Sequence, residues 1–132
     1  MVDTVVDTLE EFVRERLLTG SPVYDDRVYP MRMPAINNPE FPLLTYKRIS
    51  APRQYTHDGY SLSEPRIQIS IWDKTYDGMI KASEEVKQRL NAWKDDSKGI
   101  QHCFLMFELD QWEEQTGLFK KMLDAQIGWK GH

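Results

Sequence analysis

Three of the pairs of adjacent acidic residues in this chain are candidates for metal binding or acid–base catalysis. They are Asp25–Asp26, Asp95–Asp96 and Glu113–Glu114. Metal-dependent nucleases and glycosidases, however, need carboxylates that converge on one point from separate elements of the fold. Neighbouring acidic residues in a turn are more often solvated charges. The acidic pairs therefore predict neither a metal site nor a catalytic site.

The histidines and the single cysteine do not form a catalytic combination either. His57 and Asp58 resemble half of a catalytic dyad, but the nearby serines are too close in sequence to imply a nucleophile, and a solvated loop is the preferred interpretation. We expect His102 to form a hydrogen bond on a strand. Cys103 excludes an internal disulfide and a zinc site built on several cysteines, and its apolar neighbours predict a small buried side chain.

Charge and glycine spacing argue against nucleotide and nucleic-acid binding. The chain has 17 basic and 21 acidic residues and a pI of about 5.4, whereas phosphate binding needs clustered Lys and Arg. Its seven glycines form no phosphate-binding loop. Arg48, Arg53 and Arg66 form either a small basic cluster or, in the preferred interpretation, surface salt bridges. We therefore expect no catalytic residue, cofactor, metal or sequence-specific nucleic-acid binding.

Length and composition predict one globular domain that covers residues 1–132. Hydrophobic residues make up 40% and charged residues 29%, which is ordinary for a soluble protein. No apolar run approaches the roughly 18 residues that a membrane span requires. The segment Met1–Thr4 lacks the basic and apolar regions of a signal peptide. The sequence thus predicts a protein made in a cytoplasm and not associated with a membrane.

Two segments have the spacing of three and four between apolar residues that is typical of amphipathic helices. The first helix is predicted over about residues 4–18, with Asp3 or Thr4 as its N-cap. The second helix is predicted over about residues 75–94, with Asp73 as its cap.

Four segments have the apolar alternation of strands, and two long connections separate the elements. Residues 20–42 contain five of the seven prolines, which predicts an extended and largely irregular arm that lies on the domain or reaches a neighbour. Residues 50–65 form a long hairpin loop, and loops of that length are commonly functional. Residues 110–114, including Trp112, are expected in the last hairpin turn. The predicted strands are residues 43–49, 66–72, 100–109 and 118–129.

The order helix, strand, strand, helix, strand, strand predicts an α+β fold. The expected architecture is a two-layer sandwich in which two helices pack on one face of a mainly antiparallel four-stranded sheet. The other face and the sheet edges need cover, which suits a subunit of an assembly. The side chains expected on that outer face are Tyr46, Trp72, Phe104, Met106 and Trp112.

Several short motifs follow one another in a characteristic order. They are Val28-Tyr29-Pro30, Pro42 with Leu44 and Tyr46, Arg48-Ile49-Ser50, Arg66 with Gln68, Ile69 and Trp72, and Thr116-Gly117-Leu118-Phe119 with Leu123-Asp124. Their order and spacing resemble the tail completion, or tail terminator, proteins of long-tailed bacteriophages and prophages. The resemblance covers roughly residues 2–129.

The resemblance implies a structural virion protein, not an enzyme, that is made in the bacterial host cytoplasm and assembles as a hexameric ring. Such a ring caps the head-proximal end of the tail, contacts the major tail tube protein and the head–tail connector protein, and lets DNA pass. The arm, the long loop and the strands supply the candidate interface residues Tyr29, Met31, Met33, Phe41, Arg48, Arg53, Tyr55, Tyr60, Arg66 and Trp112.

Two other classes of protein stay open at this point. One is a different ring subunit of the same neck, such as a head completion or minor tail protein, which would bind the portal side. The other is a small ligand-binding or enzymatic α+β domain, which would need a concave pocket with perturbed titratable groups. A nucleic-acid-binding module is disfavoured by the charge balance.

Overall fold

Two α-helices, seven strands and a short 3-10 helix (Asp96–Lys98) make up the regular structure of the described chain. The helices are α1 (Leu9–Leu18) and α2 (Tyr76–Leu90). The strands are β1 (Val28–Pro30), β2 (Leu43–Ser50), β3 (Arg53–Tyr55), β4 (Ser61–Ser63), β5 (Arg66–Asp73), β6 (Ile100–Glu113) and β7 (Leu118–Trp129). This computed structural model describes residues 8–20, 22–32, 39–50, 53–55 and 61–130, with the backbone alone at 50, 53–55 and 61–63.

Five strands form the continuous body of a mixed sheet, in the order β1-β2-β5-β7-β6. The strand β1 runs parallel to β2, and the other neighbouring pairs are antiparallel. The β3–β4 hairpin joins this body at the pair Ser63–Trp129. The α+β class is therefore confirmed, whereas the prediction of a four-stranded antiparallel sheet is wrong in detail because the two long connections contribute strands of their own.

The parallel strand β1 lies inside the segment predicted as an irregular arm. The backbone amides of Leu44 and Met31 donate to the carbonyls of Arg27 and Tyr46, both at 2.8 Å, and fix β1 against β2. Pro30 has no amide to donate, but at the edge of a sheet one side of the strand needs no partner. Pro30 would argue against a central strand, but it is compatible with β1 because β1 is an edge strand.

The strand β6 extends four residues beyond its predicted end at Leu109. Residues 110–113 pair with β7, so the predicted turn at 110–114 is wrong, and Trp112 lies opposite Phe119. The turn instead ends at Gly117, which has a positive φ of 68° and whose amide donates to the Glu113 carbonyl at 2.9 Å. Glycine tolerates this left-handed conformation without steric cost.

The helix ends differ from the predicted ones. The helix α1 begins at Leu9 with Thr8 as its N-cap, while the predicted start and the caps Asp3 and Thr4 lie outside the described residues. Thr75, not Asp73, is the N-cap of α2, since its side chain accepts from the Gly78 amide. That helix ends at Leu90, earlier than predicted.

The core lies between the two helices and one face of the sheet. Every second residue of a strand projects to the same face, so β5 and β7 each contribute three alternate apolar side chains. Each isoleucine or leucine among them contributes about 2 kcal/mol when it is fully buried. The fully buried residues of these elements include Leu9, Val13 and Leu17 of α1, Met79, Ala82, Val86 and Leu90 of α2, Ile67, Ile69 and Ile71 of β5, and Ala125 and Ile127 of β7, with Leu123 nearly so.

The junction between β5 and α2 depends on the absence of a side chain at Gly78. The carboxylate of Asp73 accepts from the amides of Lys74 at 2.6 Å and Thr75 at 3.5 Å, which fixes the turn into the helix. A Cβ atom at Gly78 would lie 2.0 Å from Asp73 Oδ2 and 2.8 Å from Thr75 Oγ1. Glycine is a poor helix former, but α2 keeps it at position 78 because the turn at Asp73 occupies the space that a side chain would need.

We expect Gly78→Ala to lower the free energy of unfolding by about 1 kcal/mol, since the added methyl group must displace the Asp73 carboxylate. Alanine normally stabilises a helix relative to glycine by roughly 0.5–1 kcal/mol, so the predicted sign is reversed. Urea unfolding of Gly78→Ala, Asp73→Ala and the double variant measures the effect and the coupling. A stabilising Gly78→Ala in the native background would contradict this account of the junction.

Candidate assembly surface

The sheet has one face covered by the helices and one open face. Cross-strand partners project to the same side, so the register assigns each side chain to a face. The pairs Thr45–Ser70, Gln68–Asp124 and Trp72–Lys120 lie on the side opposite the core. The open face therefore crosses β2, β5, β7 and β6, and neither described helix packs on it. Thr45, Ser70 and Asp124 on this side are nevertheless buried, so contact with another molecule falls to the exposed side chains around them. We call this surface the open face.

A strip of exposed apolar side chains runs along β6. A β-bulge between Leu105 and Phe107 shifts the register by one residue. The bulge puts Phe104 and Phe107 on the open face together although they are three residues apart, because their partners Gln126 and Asp124 alternate normally. Alternation alone predicted Phe104 and Met106 and missed the side chains beyond the bulge. The strip consists of Phe104, Met106, Phe107 and Leu109, which are between 38% and 56% exposed.

A depression of about 360 Å³ lies on the open face beside β1. Trp72 forms part of its wall, and the Lys120 ammonium lies 4.6 Å from the centre of the indole ring. Burial is the main reason why the pKa of Lys120 is lowered, and the charge of Lys47 lowers it further, against the opposite effect of Glu113. Within the described residues, neither lysine forms a salt bridge. We call this depression the lysine pocket.

The arginines of β2 and β5 lie on opposite faces of the sheet and do not form a cluster. Arg48 Nε donates to Glu10 Oε1 at 2.6 Å and ties β2 to α1 on the helix side. Arg66 donates to the buried Asp124 at 2.7 Å on the open face. The preferred interpretation of these residues as salt-bridge partners is confirmed for both, while the Arg53 side chain lies outside the described part.

The remaining predicted interface residues lie in different surroundings. Tyr29 is half-buried in β1, and Met31 follows it with 69% of its surface exposed. The ring of Phe41 lies 5.6 Å from the Lys74 ammonium. Trp112 is exposed on the helix side of the sheet, 4.6 Å from Phe119 between ring centres. Met33 and Tyr60 lie outside the described residues, as does the side chain of Tyr55.

Two of the side chains expected on the open face lie on the helix side. Tyr46 is buried in the core, because its strand partner is the core residue Ile69. Trp112 lies on the same side because its partner is Phe119. Trp72 and Phe104 lie on the open face as expected.

A charged network that sequence reasoning missed connects β7, β6 and α2. Lys121 occupies a core-facing position of β7 and is only 4% exposed. Its ammonium contacts Glu108 and lies 3.2 Å from Asp110, while Lys87 of α2 lies 2.7 Å from Glu108. Burial lowers the pKa of Lys121, but the hydrogen bonds to these carboxylates raise it overall. The sequence did contain a signal for this network, namely a lysine at a position of β7 where the alternation predicts an apolar side chain.

The side chains that were considered as catalytic groups pack against other residues of the fold. The His102 ring stacks on Phe104 with 4.8 Å between ring centres, and among the described residues it has no partner for the hydrogen bond expected on the strand. Cys103 is buried as expected, and burial raises its pKa to about 12. In the described ranges, no three His, Cys, Asp or Glu side chains are grouped as a metal site would require. Nor does any helix there have the length and apolar character of a membrane span.

Comparison with solved structures identifies a shared fold. A chain from the virion of a native gene transfer agent (GTA) particle has a TM-score of 0.75 to this chain and 14% sequence identity. The match covers 93% of this chain and 95% of that one. No protein-family model matches the sequence, and neither does any curated protein. The likeness thus concerns the arrangement of helices and strands over almost the whole length of both chains.

We expect Glu108→Gln to lower the free energy of unfolding at pH 7 by roughly 1 kcal/mol, because Lys121 loses one charged partner. Hydrogen bonds from Lys121 and then Lys87 lower the pKa of Glu108 in the folded protein. Its stabilising contribution is therefore present above the unfolded pKa of about 4.3 and is lost as the pH falls through the folded value. Urea unfolding of the native chain and the variant at pH 7 and pH 3 measures this difference.

The control is Glu114→Gln, which removes an exposed carboxylate that lies in a turn and forms no ion pair in the described structure. The difference in free energy of unfolding between the native chain and Glu108→Gln should become smaller at pH 3. The control variant and the native chain should have the same free energy of unfolding at either pH. A gap of constant size would mean that the ionised carboxylate does not hold the network together.

Proposed function

We propose that this chain is a structural protein of a phage-like virion. In this proposal it forms a ring that caps the head-proximal end of the tail tube and joins the tail to the head connector. The fold shared with a chain of a gene transfer agent virion, over 93% of this chain, is the observation that carries the proposal. The motifs that resemble tail completion proteins support the proposed position at the end of the tail.

The surface supports a role in an assembly. Monomeric proteins rarely expose contiguous apolar patches, and the strip on β6 places four large apolar side chains on or beside one strand. One edge of β6 pairs with β7, and the other edge bonds to Asp95 at Ile100 and to Ala92 at Cys103. Within the described chain, residues 104–113 pair with no further strand, so this part of the outer edge is available. Exposed strand edges are usually protected or used for association. A neighbouring subunit that covers this edge and strip would satisfy both needs.

The charge of the chain suits a ring through which DNA passes. The net charge of each chain is -4, so six copies would carry about -24 (six times -4). Double-stranded DNA is held by clustered cations, and release of counterions from its phosphates drives such binding. A ring with an overall negative charge favours passage over retention.

The first test is electron microscopy of a lysate from the parent phage, prophage or gene transfer agent with this reading frame deleted. We expect DNA-filled heads beside separate tails, or tails of uncontrolled length. Supplying the chain from a plasmid should restore joined particles. Empty or leaking heads without a tail defect would favour another ring subunit of the neck, and intact infectious particles would overturn a structural role.

The loop at residues 50–65 provides a second test, because its length motivates an intersubunit or tube contact. Arg53 and Ser63 are direct cross-strand partners, so Gln54–Leu62 can be replaced by an Asn-Gly turn that keeps this pair. The Ser63–Trp129 pair that attaches the hairpin to the sheet is kept as well. We expect a folded chain that no longer joins tails to heads, measured by circular dichroism and particle counts. Normal joining would exclude the loop from the interface.

A further inference from the structure

The lysine pocket is a concave site whose described lining carries more cationic than acidic side chains. It combines the ammonium groups of Lys47 and Lys120 and the guanidinium of Arg32 with the apolar surfaces of Trp72 and Met31. Glu113 is the one acidic side chain in its lining. Trp72 is held by a 3.4 Å hydrogen bond from its indole nitrogen to Thr45 Oγ1. A ligand that fits this site carries more than one carboxylate next to a small apolar group.

The turn that precedes β1 has the complementary composition. Val23 is 52% exposed, and Asp25 and Asp26 are exposed beside it. Of the five pairs of adjacent acidic residues in the chain, this is the one in which neither carboxylate has a described ion pair or hydrogen bond and neither lines the lysine pocket. Asp95, by contrast, accepts hydrogen bonds from Ser97.

This turn is rigid, so that its side chains are presented in a fixed arrangement. Tyr24 is fully buried and its hydroxyl donates to the carbonyl of Leu17. The Val23 amide donates to Glu85 Oε2 at 3.0 Å, and the Asp25 amide donates to the Pro22 carbonyl at 2.9 Å. A preorganised turn loses little conformational entropy on binding. We call residues 23–26 the acidic turn.

We propose that the acidic turn of one copy docks into the lysine pocket of a second copy. Asp25 and Asp26 pair with Lys47 and Lys120, and Val23 packs against Trp72 and Met31. This inference rests on the homo-oligomeric part of the proposed function and identifies the contacting surfaces.

The position of the two surfaces requires the contact to be between copies. The acidic turn precedes β1 and Met31 follows it, so the strand separates them by on the order of 15 Å. Lys47 follows Tyr46, which is the partner of the last residue of β1. Because each copy has one turn and one pocket at opposite ends of β1, the contact is heterologous. Such contacts continue from copy to copy and close into a ring when the rotation allows it.

Zero-length carbodiimide cross-linking tests this contact, since it joins a lysine to a carboxylate only where they touch. It is applied to purified particles and to a mixture of unlabelled and ¹⁵N-labelled chain, followed by digestion and mass spectrometry. We expect peptides that join Lys47 or Lys120 to Asp25 or Asp26, with mixed isotopes in the second sample. Cross-links from these lysines only to Glu113, only to another protein, or to nothing would overturn the inference.

Charge reversal supplies a functional readout of the same contact. Lys47→Glu and Asp26→Lys should each lower the titre of joined particles by roughly tenfold, and the double variant should recover most of it because the pair is restored with opposite sign. Lys81→Glu is the matched control, since Lys81 is exposed on α2 and forms no described ion pair. Equal losses for Lys47→Glu and Lys81→Glu, or no recovery in the double variant, would contradict the pairing.

The outcomes separate this inference from the proposed function. If the deletion disconnects heads from tails but the cross-links are missing from particles, the chain joins tails through other surfaces and only the inference fails. If the deletion leaves particles intact, the proposed function fails, and the isotope-mixed sample of the purified chain still decides whether copies associate through this contact.

Discussion

The pairing of β7 with strands on both of its sides is the interaction on which the rest of the structure depends. All eight residues of β5 are in register with β7 on one side, and β6 follows it along its length on the other. Backbone amides and carbonyls buried in a sheet must be hydrogen-bonded, so β7 can exist only between two partners. The same strand supplies core residues to one face and Lys120, Met122 and Asp124 to the other. Core and open face are therefore fixed by one register.

The helix-side face of β7 carries both apolar and charged side chains. Leu123, Ala125 and Ile127 on this face are all buried. The same face carries Lys121, whose ammonium is satisfied by the carboxylates of β6. A buried lysine without such partners would be costly. The helix α2 contributes to the same network, because Lys87 contacts Glu108 and the Tyr76 hydroxyl donates to Asp110. The paired charges thus join the β6–β7 hairpin to α2 at a position where alternation predicts an apolar side chain.

The sequence predicts the features that depend on local periodicity, but it does not predict the features that depend on strand pairing. The bounds of β7 follow from alternation, and both helices follow from their apolar spacing. The strand β1 cannot be predicted from the sequence, because Pro30 argues against a strand unless that strand is known to lie at the edge of a sheet. The bulge near Met106 reverses the alternation of β6, so Phe107 and Leu109 cannot be assigned to a face from sequence. The lysine pocket is equally hidden, since Lys47 and Lys120 are 73 positions apart in the chain.

An uncovered sheet face normally invites uncontrolled association, and this chain limits that risk through asymmetry. The open face is divided between an apolar strip on β6 and cations near β1, with the Arg66–Asp124 pair on the same face. In one isologous dimer, two copies would pack open face to open face about a two-fold axis, with one lysine pocket against the other. Like charges would then face each other, which disfavours that dimer. A heterologous arrangement avoids this repulsion, because each pocket meets a surface of opposite charge. The charge pattern therefore favours the geometry that a ring requires over one class of closed dimer that would remove subunits from assembly.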